Sequence, residues 1–162
     1  MVHLLEKEWS AATGPRPGFV LRNRYRPSQF DAVSNWRRYG SLGEPWFGFD
    51  AVRNLEGLPP EILLVPLPGH TWGHAGVAIQ RPEGWLLHAG DAYFYRDEVR
   101  SPKRRCTPGL RGYQTMMEVS REHRLANQQR VRDLSIEHRR DVRVLCAHDA
   151  VEFERAAAGD LL

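Results

Sequence analysis

The sequence predicts an α/β fold, a mixed sheet with flanking helices, and three observations carry that prediction. Three strand-like runs crowd into residues 62–90, a stretch of helical composition fills residues 113–139, and a short apolar run occupies residues 142–146. Strands, then helices, then a further strand are the makings of a sheet with helices packed beside it.

Taken in order, Val2-His3-Leu4-Leu5 reads as a short strand and Glu6 to Ala12 as a short helix that stops at Gly14-Pro15. Thr13 to Gly48 is rich in Pro, Gly, Arg and aromatics (Phe19, Tyr25, Phe30, Trp36, Tyr39, Trp46, Phe47) and sustains neither a period of 2 nor of 3.6. The expectation there is a long, partly helical excursion packed by its aromatics, with helix around Phe30 to Tyr39. Ile62 to Leu67 is apolar, preceded by Pro59-Pro60 and closed by Pro68-Gly69, which marks a strand. His74 to Gln80 and Trp85 to Gly90 follow as two more strands, joined by the turn-forming Arg81-Pro82-Glu83-Gly84. Asp91 to Gly112 reads as a polar loop, and Tyr113 to Arg139 as helical with a break near Ser120. In the second part Val131, Leu134 and His138 recur at helical spacing and should face the core, leaving the Arg-rich remainder to water. Val142 to Cys146 reads as a buried strand and Ala150 to Ala158 as a last helix. No internal repeat or low-complexity tract interrupts this order.

Composition sets the outer limits. With 162 residues, 41% hydrophobic and 27% charged, the chain suits one soluble domain that buries roughly two-thirds of its unfolded surface. No apolar run approaches the roughly 20 residues that span a bilayer, and no leader-like pattern opens the chain, so the expected setting is cytoplasmic, without a membrane partner. Cys106 and Cys146 are the two cysteines, too far apart in sequence for a metal or redox pair, and are expected to be reduced thiols. The net charge of +3 and a pI near 9.1 invite a nucleic-acid hypothesis. Only Lys7 and Lys103 among the 23 basic residues are lysine, however, and the basic stretches offer little aromatic interleaving, Arg22 to Arg26 holding Tyr25 alone and Arg96 to Arg111 none. A solvated basic face is the simpler expectation.

Three residues stand just past predicted strand ends, where α/β sheets commonly build sites: His70, Asp91 and His148. Pairing Ile79 near Trp85 places His74 opposite roughly Gly90, so the His70 loop and Asp91 share one end of the sheet. By strand parity Asp91 shares a face with Trp85, Leu87 and Ala89, whereas His88 points the other way and reads as a packed or hydrogen-bonded core histidine. Two imidazoles and a carboxylate suit Zn²⁺, Mn²⁺ or Fe²⁺. With seven histidines in the chain some pairs fall near a carboxylate by chance, so spacing alone leaves a purely structural role open.

The runs Pro68-Gly69-His70-Thr71-Trp72-Gly73-His74, Leu86-Leu87-His88-Ala89-Gly90-Asp91-Ala92 and Cys146-Ala147-His148-Asp149 resemble three successive signatures of the metallo-β-lactamase superfamily, in order. The resemblance implies an αββα sandwich in which His70 binds a first metal, Asp91 bridges two metals and His148 binds the second. It gives His74 a supporting role behind the ligands and puts Tyr93 where some lactonase- and esterase-like members place a substrate-contacting hydroxyl. It covers about Val2 to Phe153. The superfamily's main metal motif, His-x-His-x-Asp-His, is absent from these 162 residues, together with the strands that precede it. The expectation is therefore a single truncated domain over residues 1–162, a partial sandwich.

Two functions follow. The first is a metal-dependent hydrolase in which His70, Asp91 and His148 hold one Zn²⁺ at most, or Mn²⁺ or Fe²⁺, and activate a water. Asp91 and Tyr93 would then serve catalysis, and Trp46-Phe47 would wall an apolar pocket for a small-molecule ester, lactone or thioester. The second is a non-catalytic half-domain that covers its exposed sheet face by homodimerisation or by pairing with a partner chain. A misassigned start, or a fragment of a complete hydrolase, is the third expectation.

Overall fold

The computed structural model describes residues 1–16, 18–40, 43–49 and 53–159. In chain order the elements are β1 (Val2–Leu5), α1 (Glu6–Thr13), α2 (Gly18–Arg24), β2 (Trp36–Tyr39), β3 (Arg53–Asn54), β4 (Ile62–Pro66), β5 (Ala75–Arg81), β6 (Gly84–His88), α3 (Pro108–Met117), α4 (Arg121–Glu137), β7 (Val142–Leu145) and α5 (Ala150–Ala157). Five strands form one mixed sheet in the order β3-β4-β5-β6-β7, antiparallel from β3 to β6, with β7 added parallel to β6. Arg81 pairs with Gly84 across the turn, so β5 and β6 are a tight hairpin. A parallel neighbour needs a crossover of a dozen residues or more, and residues 89–141, which carry α3 and α4, supply it.

The two sheet faces bury different partners. Leu63, Val65, Ala78, Leu87, Val142 and Val144 point to one side and join Val131 and Leu134 of α4, with Trp46 and Phe49, in the main core. Each fully buried Leu or Val there contributes roughly 1.5–3 kcal/mol. On the other side Leu64 packs with Leu5, Tyr39 and Leu55, flanked by the partly buried Ile62, Ala75 and Val77. Leu5 and Tyr39 come from β1 and β2, which pair in parallel from Val2 opposite Trp36 to Leu5 opposite Tyr39. A helix, a five-stranded sheet, then a two-stranded sheet leading into α1 is the layer order of a partial αββα sandwich. Its second sheet backs β4 and the start of β5, while over β6 and β7 Leu86 and Leu145 stay half-buried.

Several local expectations are corrected. Phe30 to Tyr39 is not helical: Trp36–Tyr39 is strand β2, and Trp36 packs on Trp9 and Phe30, so its aromatics serve a sheet edge. Helix α3 starts at Pro108, inside the expected loop, because Thr107 accepts a hydrogen bond from the Leu110 N–H and Pro108 occupies the first turn, both helix-starting signals. The break near Ser120 is as expected, with Ser120 capping α4. His138 is half-exposed at the end of α4, its ring against Phe47. The Arg-rich face of α4 does not all meet water: Arg124, Asn127, Gln128 and Arg132 are buried. They stay there because each has polar partners, as buried polar groups must. Arg124 pairs with Glu118 and donates to Gln114, and Arg132 donates to the Glu98 carbonyl. The basic stretch Arg96 to Arg111 is likewise committed internally through Arg96 to Asp149, Arg100 to Glu152 and Arg104 to Glu98. Cys106 and Cys146 are free thiols. Among the described residues no helix is long and apolar enough to cross a membrane.

One glycine decides how closely α4 approaches the sheet. Gly69 has φ +140°, and a Cβ there would lie 2.4 Å from the Arg124 backbone nitrogen. Gly69→Ala should therefore destabilise by about 2–5 kcal/mol, the sum of backbone strain and overpacking. Gly109→Ala, with nothing within 4 Å of the new Cβ, should stabilise by about 0.5–1 kcal/mol. Urea midpoints of the two variants check the contrast, and a Gly69→Ala midpoint equal to that of the parent would contradict the close approach.

Candidate metal centre

The loop after β4 is clamped by the backbone on which it rests. Gly69 O accepts from the Val119 and Ser120 N–H groups at 2.9 and 3.1 Å, and Asn127 Nδ2 donates to Pro68 O at 2.7 Å. From the N-terminal segment, Arg24 donates to His70 O at 2.7 Å, and Glu8 Oε2 accepts from Gly73 N at 2.9 Å. The other Glu8 oxygen takes the Tyr25 hydroxyl at 2.8 Å. His70 thus projects from a loop held by α1, α2 and α4.

His74 ties this loop to the end of β6. Its Nδ1 lies 2.8 Å from Leu67 O and its Nε2 2.9 Å from Asp91 N. A carbonyl only accepts and an amide N–H only donates, so the proton sits on Nδ1 and Nε2 accepts. The pairing is one residue off the expected one: Gln80 faces Trp85, which continues to His74 facing Asp91 rather than Gly90. Gly90 (φ +57°) lets the chain turn there, since a Cβ would lie 2.8 Å from His74 Nε2. His88, expected as a core histidine, does point away from the α4 face, but it is exposed because β1 and β2 stop short of β6; its Nδ1 accepts from Gly90 N at 3.3 Å.

The third residue arrives on the parallel strand. Ala89 N donates to Leu145 O and Ala147 N to Gly90 O, which zips the ends of β6 and β7 together. Asp149 caps α5, accepting from the Val151 and Glu152 N–H groups, and also takes the Arg96 N–H at 2.8 Å. Burial alone would raise the Asp149 carboxyl, but those backbone donors and the Arg96 charge bring it below its ordinary value.

These elements bring His70, Asp91 and His148 together at one end of the sheet. His70 Nε2 lies 3.2 Å from Asp91 Oδ2, and His148 Nε2 lies 3.1 Å from Asp91 Oδ1. Each nitrogen–oxygen pair lies at hydrogen-bonding distance, so in this structure each Asp91 oxygen faces one imidazole. Two imidazoles and a carboxylate are the donor types that mixed nitrogen and oxygen metal sites use. Among the described residues no three His, Cys, Asp or Glu side chains are grouped to hold a single ion.

Two further expectations are corrected. Tyr93 is fully buried and its hydroxyl donates to Glu152 at 2.8 Å, so it cannot reach a substrate; burial and the Glu152 charge raise its pKa. Trp46 belongs to the main core against Phe49 and Trp85, not to a substrate wall. The ring offered to the site is Phe94, 4.2 Å from the His148 ring and 6.0 Å from the His70 ring. Beside His148 opens a cleft of about 390 Å³ lined by Phe94, Tyr95, Arg96, Leu110, Tyr113 and Val151 among others. Sequence reasoning missed Glu8, Arg24 and Phe94, for no local pattern announces them; the Phe94 position was within reach, three residues beyond Asp91.

Burial, then the Arg24 charge, lowers the His70 pKa from the ordinary 6.5 to about 4, with Asp91 pulling the other way. Burial lowers His74 as well. Such groups bind protons more readily when unfolded, so the stability they contribute is complete above the unfolded value of 6.5 and drains away as the pH falls toward about 4. The urea midpoint of metal-free protein should fall across that window, with a shallower fall in His70→Gln. Identical profiles for the two proteins would remove His70 from the account.

No protein-family model matches the chain. It is 35% identical over 140 residues to a protein of Mycobacterium tuberculosis named "Probable metallo-hydrolase", and equally to one of Mycobacterium bovis of the same description; the match takes in 86% of this chain. The chain spans about 45% of the length of these curated relatives. Among solved structures it is similar to an N-acyl homoserine lactone hydrolase with N-hexanoyl-L-homoserine at its catalytic metal centre, with a TM-score of 0.60 and 15% identity over 94% of this chain and 48% of that one. A hydrolase of the β-lactamase superfamily gives a TM-score of 0.58 at 11% identity, covering 88% of this chain and 46% of its own. Strand order, layer order and these likenesses agree that the chain is a protein of the metallo-β-lactamase fold, matching about half the length of its relatives.

Proposed function

We propose that the chain is one partial domain of a metal-dependent hydrolase, in which His70 with one oxygen of Asp91 holds one ion and His148 with the other oxygen holds a second. The observation that carries this reading is the placement of two Nε2 atoms on opposite oxygens of a single carboxylate. Zinc suits this mixed nitrogen and oxygen set, as do manganese and iron. When bound, such an ion supplies a polarised water or carbonyl for hydrolysis. The chain's own residues do the rest: His74 fixes the backbone of Asp91, Arg24 and Glu8 fix the His70 loop, and the cleft beside His148 receives the substrate's apolar part. Two protein ligands per ion leave positions for water, for substrate and for residues of another chain. A lactone, ester or thioester of small size fits this chemistry, and the lactone hydrolase among the structural neighbours favours the lactone.

Elemental analysis of protein purified without chelator tests the reading, alongside His70→Ala and His148→Ala. Each substitution should cost about one equivalent of metal and reduce lactone hydrolysis by about 100-fold or more. Unchanged metal content in both variants would refute it.

A second reading rests on a different observation, the half-buried Leu86 and Leu145 on the sheet face that β1 and β2 leave partly uncovered. On this reading the face pairs with a second copy. Sedimentation at micromolar concentration should then give a dimer, and Leu86→Asp a monomer; a parent that is monomeric and binds no apolar dye would dismiss the pairing.

A further inference from the structure

Phe94 is the ring that both imidazoles of the candidate centre share. It is 5% exposed, and it also meets Tyr113 at the mouth of the cleft, 5.9 Å between centroids. An imidazole at a strand end keeps rotational freedom unless packing removes it, and a site held to within about half an ångström needs its rotamers locked by neighbours. Phe94 is the packing partner available to His70 and His148 together.

What holds Phe94 lies four residues along the same loop. Glu98 is fully buried. Its Oε2 accepts from the Phe94 N–H at 3.1 Å and from Gln114 Nε2 at 2.8 Å. Its Oε1 accepts from Arg104 Nε and Nη2 at 3.2 and 2.9 Å. The Glu98 carbonyl takes two more donors, Arg132 Nε at 2.9 Å and Nη2 at 2.6 Å. The carboxylate is therefore anchored on α3 and on the 104 loop, and its backbone on α4, and from that anchor it grips the one backbone amide that carries Phe94. A buried charge this fully paired gives little net stability over an apolar replacement, but it fixes geometry.

We propose that Glu98 is a positioning residue: through the Phe94 N–H it sets the ring against which His70 and His148 pack, and so holds both imidazoles on Asp91 without touching either. The functional consequence rests on reading the two histidines as metal ligands; the geometric claim does not.

The test is made on metal-free protein with labelled histidine, comparing the parent with Phe94→Leu and Glu98→Gln by NMR. Phe94→Leu marks where the His148 and His70 ring resonances lie once the aromatic ring is gone. Glu98→Gln, whose amide presents a donor to Gln114 or Arg104, should move both resonances toward those positions while His3 and His138 stay in place and the circular dichroism remains that of a folded chain. A purely structural role would lower the melting temperature without this selective movement. A folded Glu98→Gln protein with both resonances at the parental positions overturns the proposal. Should Glu98→Gln fail to fold, Arg104→Met, at a partly exposed position, should give the same movement in smaller degree, and parental resonances there overturn it equally. Metal titration then separates the two claims. A parent that takes up metal should lose about tenfold in affinity on Glu98→Gln. A parent that takes up none defeats the hydrolase reading alone, since the resonances still report on Glu98.

Discussion

His74 stands where the ends of two strands meet, and the candidate centre depends on its ring. One nitrogen donates to the carbonyl that ends β4 and the other accepts the amide that begins the Asp91 loop. Without it the carbonyl of the buried Leu67 would lose this partner, at about 1–3 kcal/mol. A side chain of different shape could fill the space but not satisfy an acceptor on one side and a donor on the other. The neutral Nδ1–H tautomer does both, and burial keeps the ring neutral. Asp91 therefore has a fixed backbone, and its carboxylate meets one imidazole on each oxygen.

The rest of the chain brings the partners to that carboxylate by different means. His70 comes on a loop whose carbonyls and amides are taken up by Arg24, Glu8, Asn127 and the turn before α4. His148 comes on β7, whose parallel pairing with β6 continues past the last strand residue through Ala147 N and Gly90 O. The β6 to β7 crossover is long, and polar groups fasten it as well as a hydrophobic seam: Glu98, Gln114, Arg124, Gln128 and Arg132 are buried together. The basic composition is thus partly spent inside the molecule, where guanidinium groups pair with Glu98, Glu118 and Glu152. That allocation weakens any inference from net charge to a polyanionic partner, because Arg96, Arg100 and Arg104 already face carboxylates.

The strands, and the placement of His70, Asp91 and His148 at strand ends, were legible because each rests on a short-range signal. Apolar runs bounded by proline and glycine mark β4 to β6, and a polar residue just past such a run is visible by position alone. The register error of one residue arose where the turn had to be guessed: Arg81 pairs with Gly84, a tighter turn than assumed. Strand parity put His88 on the correct face but could not say that β1 and β2 leave that part of the face open. The arginines of α4 were misread for a similar reason. Periodicity finds apolar faces, and a buried face made of Arg, Asn and Gln looks like a solvated one until its partners, distant in sequence, are known. Tyr93 was placed by resemblance, and a shift of one position decides the outcome: Tyr93 turns into the core toward Glu152, and Phe94 turns to the histidines.

That one-residue alternation has a chemical consequence. A phenol at the position of Phe94 would bring a proton donor and a dipole against two imidazoles, whereas a benzene ring brings packing and excludes water. The cleft is lined by Tyr95, on the loop that carries Asp91, and by Tyr113 of α3, the tyrosines placed for polar contact with a bound molecule. With His74 holding the backbone, Phe94 packing the rings and Asp91 offering one oxygen to each, the chain presents two imidazoles and a carboxylate already assembled at one end of the sheet. A group that binds all three side chains gains from that arrangement, because the geometric cost of assembly has been met in the fold itself.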